Sequence, residues 1–197
     1  PKPQGAAVIE EKYGLKKDGY FLFLARIVPE KGLHYLIEAF SELETDKKLV
    51  IAGGSSQAMD YMERIHRMAE EDERILMTDF VQGQVLEELY ANAYAFVLPS
   101  DVEGMALTLL EAMSYGACCL VSDIRENTEV VEDKALTFRK GDVKDLRRQL
   151  AWMLSHPDEV RCMGEESVDY ICGKYDWDDV TRRTIAVYEK AAGCRKE

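Results

Sequence analysis

The 197-residue chain contains no apolar run near the roughly 20 residues that a membrane-spanning helix requires. Basic residues are in the minority, 25 against 37 acids, for a formal net charge of −12. That balance argues against nucleic acid as a partner, because phosphate-backbone affinity needs clustered cations. Any phosphate ligand must be held by a few local cations against the overall field. Histidine occurs three times, at His34, His66 and His156, each in a helical stretch without a Ser, Cys or acid partner, so surface or packing roles are expected. The five cysteines include no CxxC pair and no histidine at ligand spacing. That odd, unpatterned set suits free thiols in a reducing compartment. Gly53-Gly54-Ser55-Ser56 is glycine-rich but lacks both the GxGxxG and the GxxxxGK[ST] pattern, so it reads as a plain strand-to-helix turn. There is neither a secretory-signal pattern nor an initiator Met. The expectation is a cytoplasmic piece of a longer protein.

What is present is an apolar fraction of 47% arranged in alternating short runs and helical stripes. Tyr20–Ala25, Leu49–Ala52, Arg74–Thr78, Ala95–Leu98, Cys118–Val121 and Ala135–Phe138 read as strands. The continuous apolar runs among them mark strands buried on both faces. Leu33, Leu36, Ile37, Phe40 and Leu43 share one helical stripe, and further stripes follow the other strands. Helices over 142–155, 158–174 and 177–191 close the chain, and residues 1–19 read as a linker with a short helix near Val8–Tyr13. The pattern predicts a doubly wound, mainly parallel, Rossmann-like α/β sheet over 20–197, with helices on both faces and a helical C-terminus. In such a sheet, ligands bind beyond the carboxyl ends of the strands.

Four loops should gather at that edge: Arg26–Lys31, Gly53–Ser56, Pro99–Gly104 and Ser122–Asp123. Pro99 stops a strand because it cannot donate to the ladder. Leu107, Leu110, Ala112 and Met113 then begin a helix whose open N-terminus can receive an anion. Arg26 and Lys31 could grip a diphosphate, or they are two solvated surface cations. Glu103 could accept bonds from sugar hydroxyls, or it is an acid favoured by a helix dipole. Glu111 could hold a ribose diol, or it is an ordinary helical glutamate. Asp101-Val102-Glu103 also has the look of a short metal-binding element, but two carboxylates at that spacing are common.

Taken together, these stretches resemble the C-terminal, donor-binding half of retaining glycosyltransferases of the GT-B fold, glycosyltransferase family four. Ala25-Arg26-Ile27-Val28-Pro29-Glu30-Lys31-Gly32, followed by Leu36-Ile37-Glu38-Ala39-Phe40, is similar to G-R-L-x-x-x-K-G…L-I-x-A-F. Glu103 and Glu111 match the paired glutamates of P-S-x-x-E-G-x-x-L-x-x-x-E-A, and Gly116–Asp123 with Glu129 resembles the next segment. Ala25 and Ala106 stand where the family usually has glycine, Asp79 where its F-x-G-F has glycine, and Cys118 where its G-x-P-V-V-x-S-D has proline.

The resemblance implies a UDP-, GDP- or ADP-sugar donor, no other cofactor and no metal. Arg26 and Lys31 would neutralise the leaving diphosphate, with backbone N–H groups along Gly104, Met105, Ala106 and Leu107 assisting. Glu103 would orient the donor sugar and Glu111 would hold the ribose, while Gly54 and Val81 complete the donor-binding positions. The implied partner is an N-terminal acceptor domain of the same polypeptide, with peripheral association of the full-length enzyme at the inner face of a membrane. The implied role is hexose transfer in cell-surface polysaccharide or glycolipid synthesis, the fragment binding donor with little turnover alone. A non-catalytic α/β regulatory module and the donor half of a sugar phosphorylase or sugar-phosphate synthase stay open as alternatives.

Overall fold

The structure is a computed structural model that describes residues 5–54 and 58–193. Six parallel strands are ordered β3-β2-β1-β4-β5-β6, with β1 at Tyr20–Leu24, β2 at Lys48–Ala52, β3 at Ile75–Asp79, β4 at Ala95–Leu98, β5 at Cys118–Ser122 and β6 at Leu136–Phe138. The expected doubly wound sheet is therefore present, and every described strand pairing is parallel. The strand order reverses direction between β1 and β4, which pair through Phe21 with Ala95 and Leu22 with Phe96. A crevice opens at such a switch point beyond the carboxyl ends.

Alternation along the strands divides the core into two layers. Phe21, Phe23, Leu49, Ile51, Ala95 and Val97 face one side and pack with α2 (Leu33–Ser41), α3 (Met59–Glu70) and α7 (Val143–Ser155). Tyr20, Leu22, Val50, Phe96, Leu98 and Val121 face the other. There they meet α1 (Ala7–Tyr13), α4 (Gln84–Asn92), α5 (Leu107–Ser114) and α6 (Arg125–Val131). The apolar runs are unbroken because both faces are covered.

α8 (Pro157–Lys174) passes close to the turn between α5 and β5. A Cβ on Gly164 would lie 2.3 Å from the Gly116 carbonyl oxygen, so only glycine permits that approach. The short helix expected near the start is α1, and it is fastened to the body. Ile9 is fully buried, and the Glu88 carboxylate accepts from the Val8 and Ile9 N–H groups at 2.8 and 3.1 Å. The packed core thus begins ahead of residue 20.

At the other end, α9 (Trp177–Gly193) buries no residue, and Trp177, Val180, Ile185, Val187 and Tyr188 are all exposed. No described helix is long and apolar enough to cross a membrane.

Candidate functional site

The loop after β1 makes a single tight turn over Pro29–Lys31, with Pro29 at its first position. Gly32 follows in the left-handed region at φ 65°, and a Cβ there would lie 2.0 Å from the Pro99 carbonyl oxygen. The Asp101 N–H donates to the Glu30 carbonyl at 2.8 Å. These two contacts press the loop after β4 onto the loop after β1. As a result Lys31 Nζ reaches Glu103 Oε1, 72 residues away in sequence, at 2.6 Å. Glu103 is only 9% exposed and its Oε1 also accepts from the Ser100 hydroxyl at 2.6 Å. Oε1 thus carries two charge-assisted or strong bonds, which leaves Oε2 as the atom open to a ligand.

Asp101 turns away from this pair. Its Oδ2 accepts from the Tyr35 hydroxyl at 3.3 Å, so the two carboxylates of Asp101-Val102-Glu103 serve different partners. Among the described residues no three His, Cys, Asp or Glu side chains converge. Arg26 lies in the same β1 loop, exposed, without a side-chain hydrogen bond or ion pair among the described residues. It follows the same strand as Lys31 but, among the described residues, makes no hydrogen bond or ion pair with Lys31 or Glu103.

α5 starts at Leu107 with Ala106 as its N-cap, and no side chain caps it. Its first N–H groups and the positive end of its dipole therefore face the crevice edge. Gly104, Met105 and Leu107 are exposed and Ala106 is buried. Ala106 sits at φ −76°, a conformation any residue adopts, so its methyl imposes no backbone strain.

Glu111, one turn further along the helix, is exposed on the same face as Leu107. Its Oε2 accepts from the Tyr90 hydroxyl of α4 at 2.8 Å. Burial of Tyr90 and the neighbouring carboxylate push that phenol's ionisation far upward, so it is a fixed donor at neutral pH. The Tyr90 ring stacks on Tyr115 at 5.4 Å.

The remaining expected positions are more peripheral. Gly54 follows β2, and its carbonyl accepts from the Ile27 N–H at 3.2 Å, while Gly53 passes so near Ala25 that a Cβ would meet the Ala25 carbonyl at 1.9 Å. Ser55 and Ser56 lie outside the described residues. Val81 is half-buried against the α4–α5 layer, next to the exposed Phe80. Asp79 adopts φ 57°, the left-handed conformation that the glycine of the resembled pattern would take freely and that Asp tolerates. Cys118 sits within the ladder opposite Ala95, as the first residue of β5.

Known proteins bear out the family resemblance of the chain. The family described as glycosyl transferases group 1 matches residues 7–168. This chain belongs to the glycosyl transferases group 1 family.

Among its relatives, an O-antigen chain mannosyltransferase of Escherichia coli is 27% identical over 95% of this chain and 50% of its own length. A GDP-mannose-dependent phosphatidylinositol monomannoside mannosyltransferase of Mycolicibacterium smegmatis is 29% identical over 90% of this chain and 49% of its own. The chain spans about half the length of the curated relatives it matches. In fold, it superposes on Anabaena HepE, solved in complex with UDP-glucose, with a TM-score of 0.88 at 15% identity, over 96% of this chain and 54% of HepE.

Lys31 and both glutamates were legible in the sequence of this group 1 domain, but the Ser100 and Tyr90 hydroxyls that bond to the glutamates were not. Tyr90 was legible only as part of an apolar helical stripe, although a buried tyrosine usually needs a partner for its hydroxyl. Ser100, between a strand-ending proline and an aspartate, carries in the sequence only the signature of a turn. Asn127 carried a signal in being an amide on the same helix as Val130 and Val131, which are also buried.

Proposed function

We propose that this chain is the donor-binding half of a retaining glycosyltransferase, transferring a hexose from a nucleoside diphosphate sugar to a glycan or lipid acceptor of cell-surface polysaccharide or glycolipid synthesis. The observation that carries the reading is the contact of Lys31 with Glu103 beside the uncapped start of α5. Cation, carboxylate and helix N-terminus then meet at one switch-point crevice. A diphosphate would take Lys31, Arg26 and the N–H groups of α5, charges preset where negative charge develops on the leaving group. Glu103 Oε2 would face the sugar near its anomeric carbon, and Glu111 would accept from the ribose diol.

In the transfer, the bond from the anomeric carbon to the diphosphate oxygen breaks and its electron pair stays on that oxygen. The acceptor hydroxyl attacks from the same face, and its proton passes to the departing phosphate oxygen. These roles need no metal, because the cations and helix end supply the charge. The acceptor would sit on a second domain. The unburied apolar residues of α9, Trp177 through Tyr188, are the surface such a domain would cover.

Calorimetry with UDP, GDP and ADP, each with and without magnesium, tests the reading. The Mycolicibacterium relative's GDP-mannose and the UDP-glucose of HepE make GDP and UDP the first two to try. One nucleotide is expected to bind more tightly than about 1 mM. Replacing Glu111 with Ala is expected to weaken it by ~1–3 kcal/mol. Binding of none of the three overturns the proposal.

A further inference from the structure

Among the described residues only seven polar or charged side chains are buried, and four of them form one connected file. Asn127 of α6 is 1% exposed, and its Nδ2 donates to the Ser122 hydroxyl at 3.1 Å and to the Ser122 carbonyl at 3.3 Å. The Ser122 hydroxyl, at the end of β5, donates in turn to the Ser100 carbonyl. The Ser100 hydroxyl donates to Glu103 Oε1 at 2.6 Å. The other three buried polar residues have local duties: Glu88 and Asn92 fasten the segment around α1, and Ser167 bonds the Met113 carbonyl. The file differs in crossing three elements and ending on a carboxylate.

We propose that Ser100, Ser122 and Asn127 are positioning residues that fix the Glu103 carboxylate for the donor sugar. The assignment rests on Glu103 facing that sugar, as read above. Direction is enforced along the file. An amide Nδ2 can only donate, so the Ser122 oxygen receives from Asn127 and sends its own proton to the Ser100 carbonyl. That fixes the backbone of Ser100 where its hydroxyl must point at Glu103. A polar file through an apolar interior is costly unless satisfied, and this one is incomplete at its far end. Asn127 Oδ1 is buried with no partner among the described residues. The amide is therefore held by what its nitrogen donates to, not by full satisfaction of the group. Packing alone would favour an apolar side chain beside Val130 and Val131.

The test measures the affinity of the full chain for UDP, UDP-glucose, GDP and GDP-mannose by calorimetry, in wild type, Ser100→Ala and Asn127→Leu. Glu103 would touch the sugar and not the nucleotide, so the decisive quantity is the preference for each sugar nucleotide over its parent diphosphate. Ser100→Ala is expected to lower that preference about tenfold, as loss of one bond to a charged group does. Asn127→Leu is expected to lower it about threefold. Diphosphate affinity should stay within about twofold in both, whereas a purely structural role would move it together with the sugar nucleotide or move only the melting temperature. Ser100→Ala removes one oxygen and keeps the test available should Asn127→Leu fail to fold. A preference unmoved in the folded variants overturns the file alone. Failure of wild type to bind any of the four overturns the transferase reading, and the file with it.

Discussion

The Tyr90 hydroxyl and the Glu111 carboxylate, on neighbouring helices, are joined at 2.8 Å. Tyr90→Phe removes the donor and leaves the ring stacked on Tyr115. It is expected to weaken nucleoside diphosphate binding by about 1 kcal/mol through a less ordered Glu111. Calorimetry on the variant, beside a thermal melt showing its fold intact, checks this. Unchanged affinity would separate Tyr90 from the site.

Gly32 and Gly104 flank the Lys31–Glu103 contact with opposite demands. Gly32 sits at φ 65° with no room for a Cβ against Pro99, whereas a Cβ on Gly104 meets nothing within 4 Å. Gly32→Ala is expected to cost at least about 2 kcal/mol of stability, and Gly104→Ala less than about 0.5 kcal/mol. Denaturant unfolding of the two variants gives the comparison, and equal losses would contradict the close approach of the two loops.

His34 accounts for one expected pH effect. Its Nδ1 lies 2.9 Å from the Tyr61 hydroxyl, and burial, reinforced by Arg64, lowers its pKa despite Glu38 and Asp101 nearby. Because the folded pKa lies below the unfolded one, the neutral ring stabilises the fold above about pH 6.5. That contribution is lost as pH falls through the folded value. Melting temperatures between pH 7.5 and 5 should therefore drop further for wild type than for His34→Gln. Parallel curves would refute it.

The cysteines should differ sharply in reactivity. Burial pushes the Cys118 thiol up to about 12 and Cys119 well upward, whereas Cys172 is exposed, and the Glu166 carboxylate raises Cys162. Among the four cysteines of the described residues, peptide mapping after brief alkylation at pH 8 is expected to find Cys172 labelled first, Cys162 more slowly, and Cys118 and Cys119 only in denaturant. Labelling of Cys118 in the native protein would contradict its place in the core.

Much of the fold was legible because its signals are local. The run Tyr20–Leu24 is apolar at every position since β1 is covered on both faces, and the stripe from Leu33 to Phe40 follows from one buried helix face. β3 and β6 lack such an unbroken apolar run for the converse reason: both are edge strands and only partly buried. The site was legible as far as its loops follow strands, which put Arg26, Lys31 and Glu103 at one edge. Glu88 shows where such reading stops. In sequence it is one more helical acid, and only the arrival of α1, 79 residues earlier, makes it a buried acceptor for two backbone N–H groups.

The sequence by itself determined which segments are strands and helices, which faces are apolar, and that the strands share one direction. Hydrophobic periodicity and turn chemistry act over a few residues and need no knowledge of the rest. Only the tertiary structure decided that Lys31 meets Glu103, that Tyr90 holds Glu111, and that Asn127, Ser122 and Ser100 line up behind the same carboxylate. Each of those contacts joins residues 21 to 72 positions apart or crosses separate elements. The first exists because the reversal of strand order between β1 and β4 sets their two loops against one another, the others because α4 packs on α5 and β5 runs beside β4, relations that no local stretch of chain records.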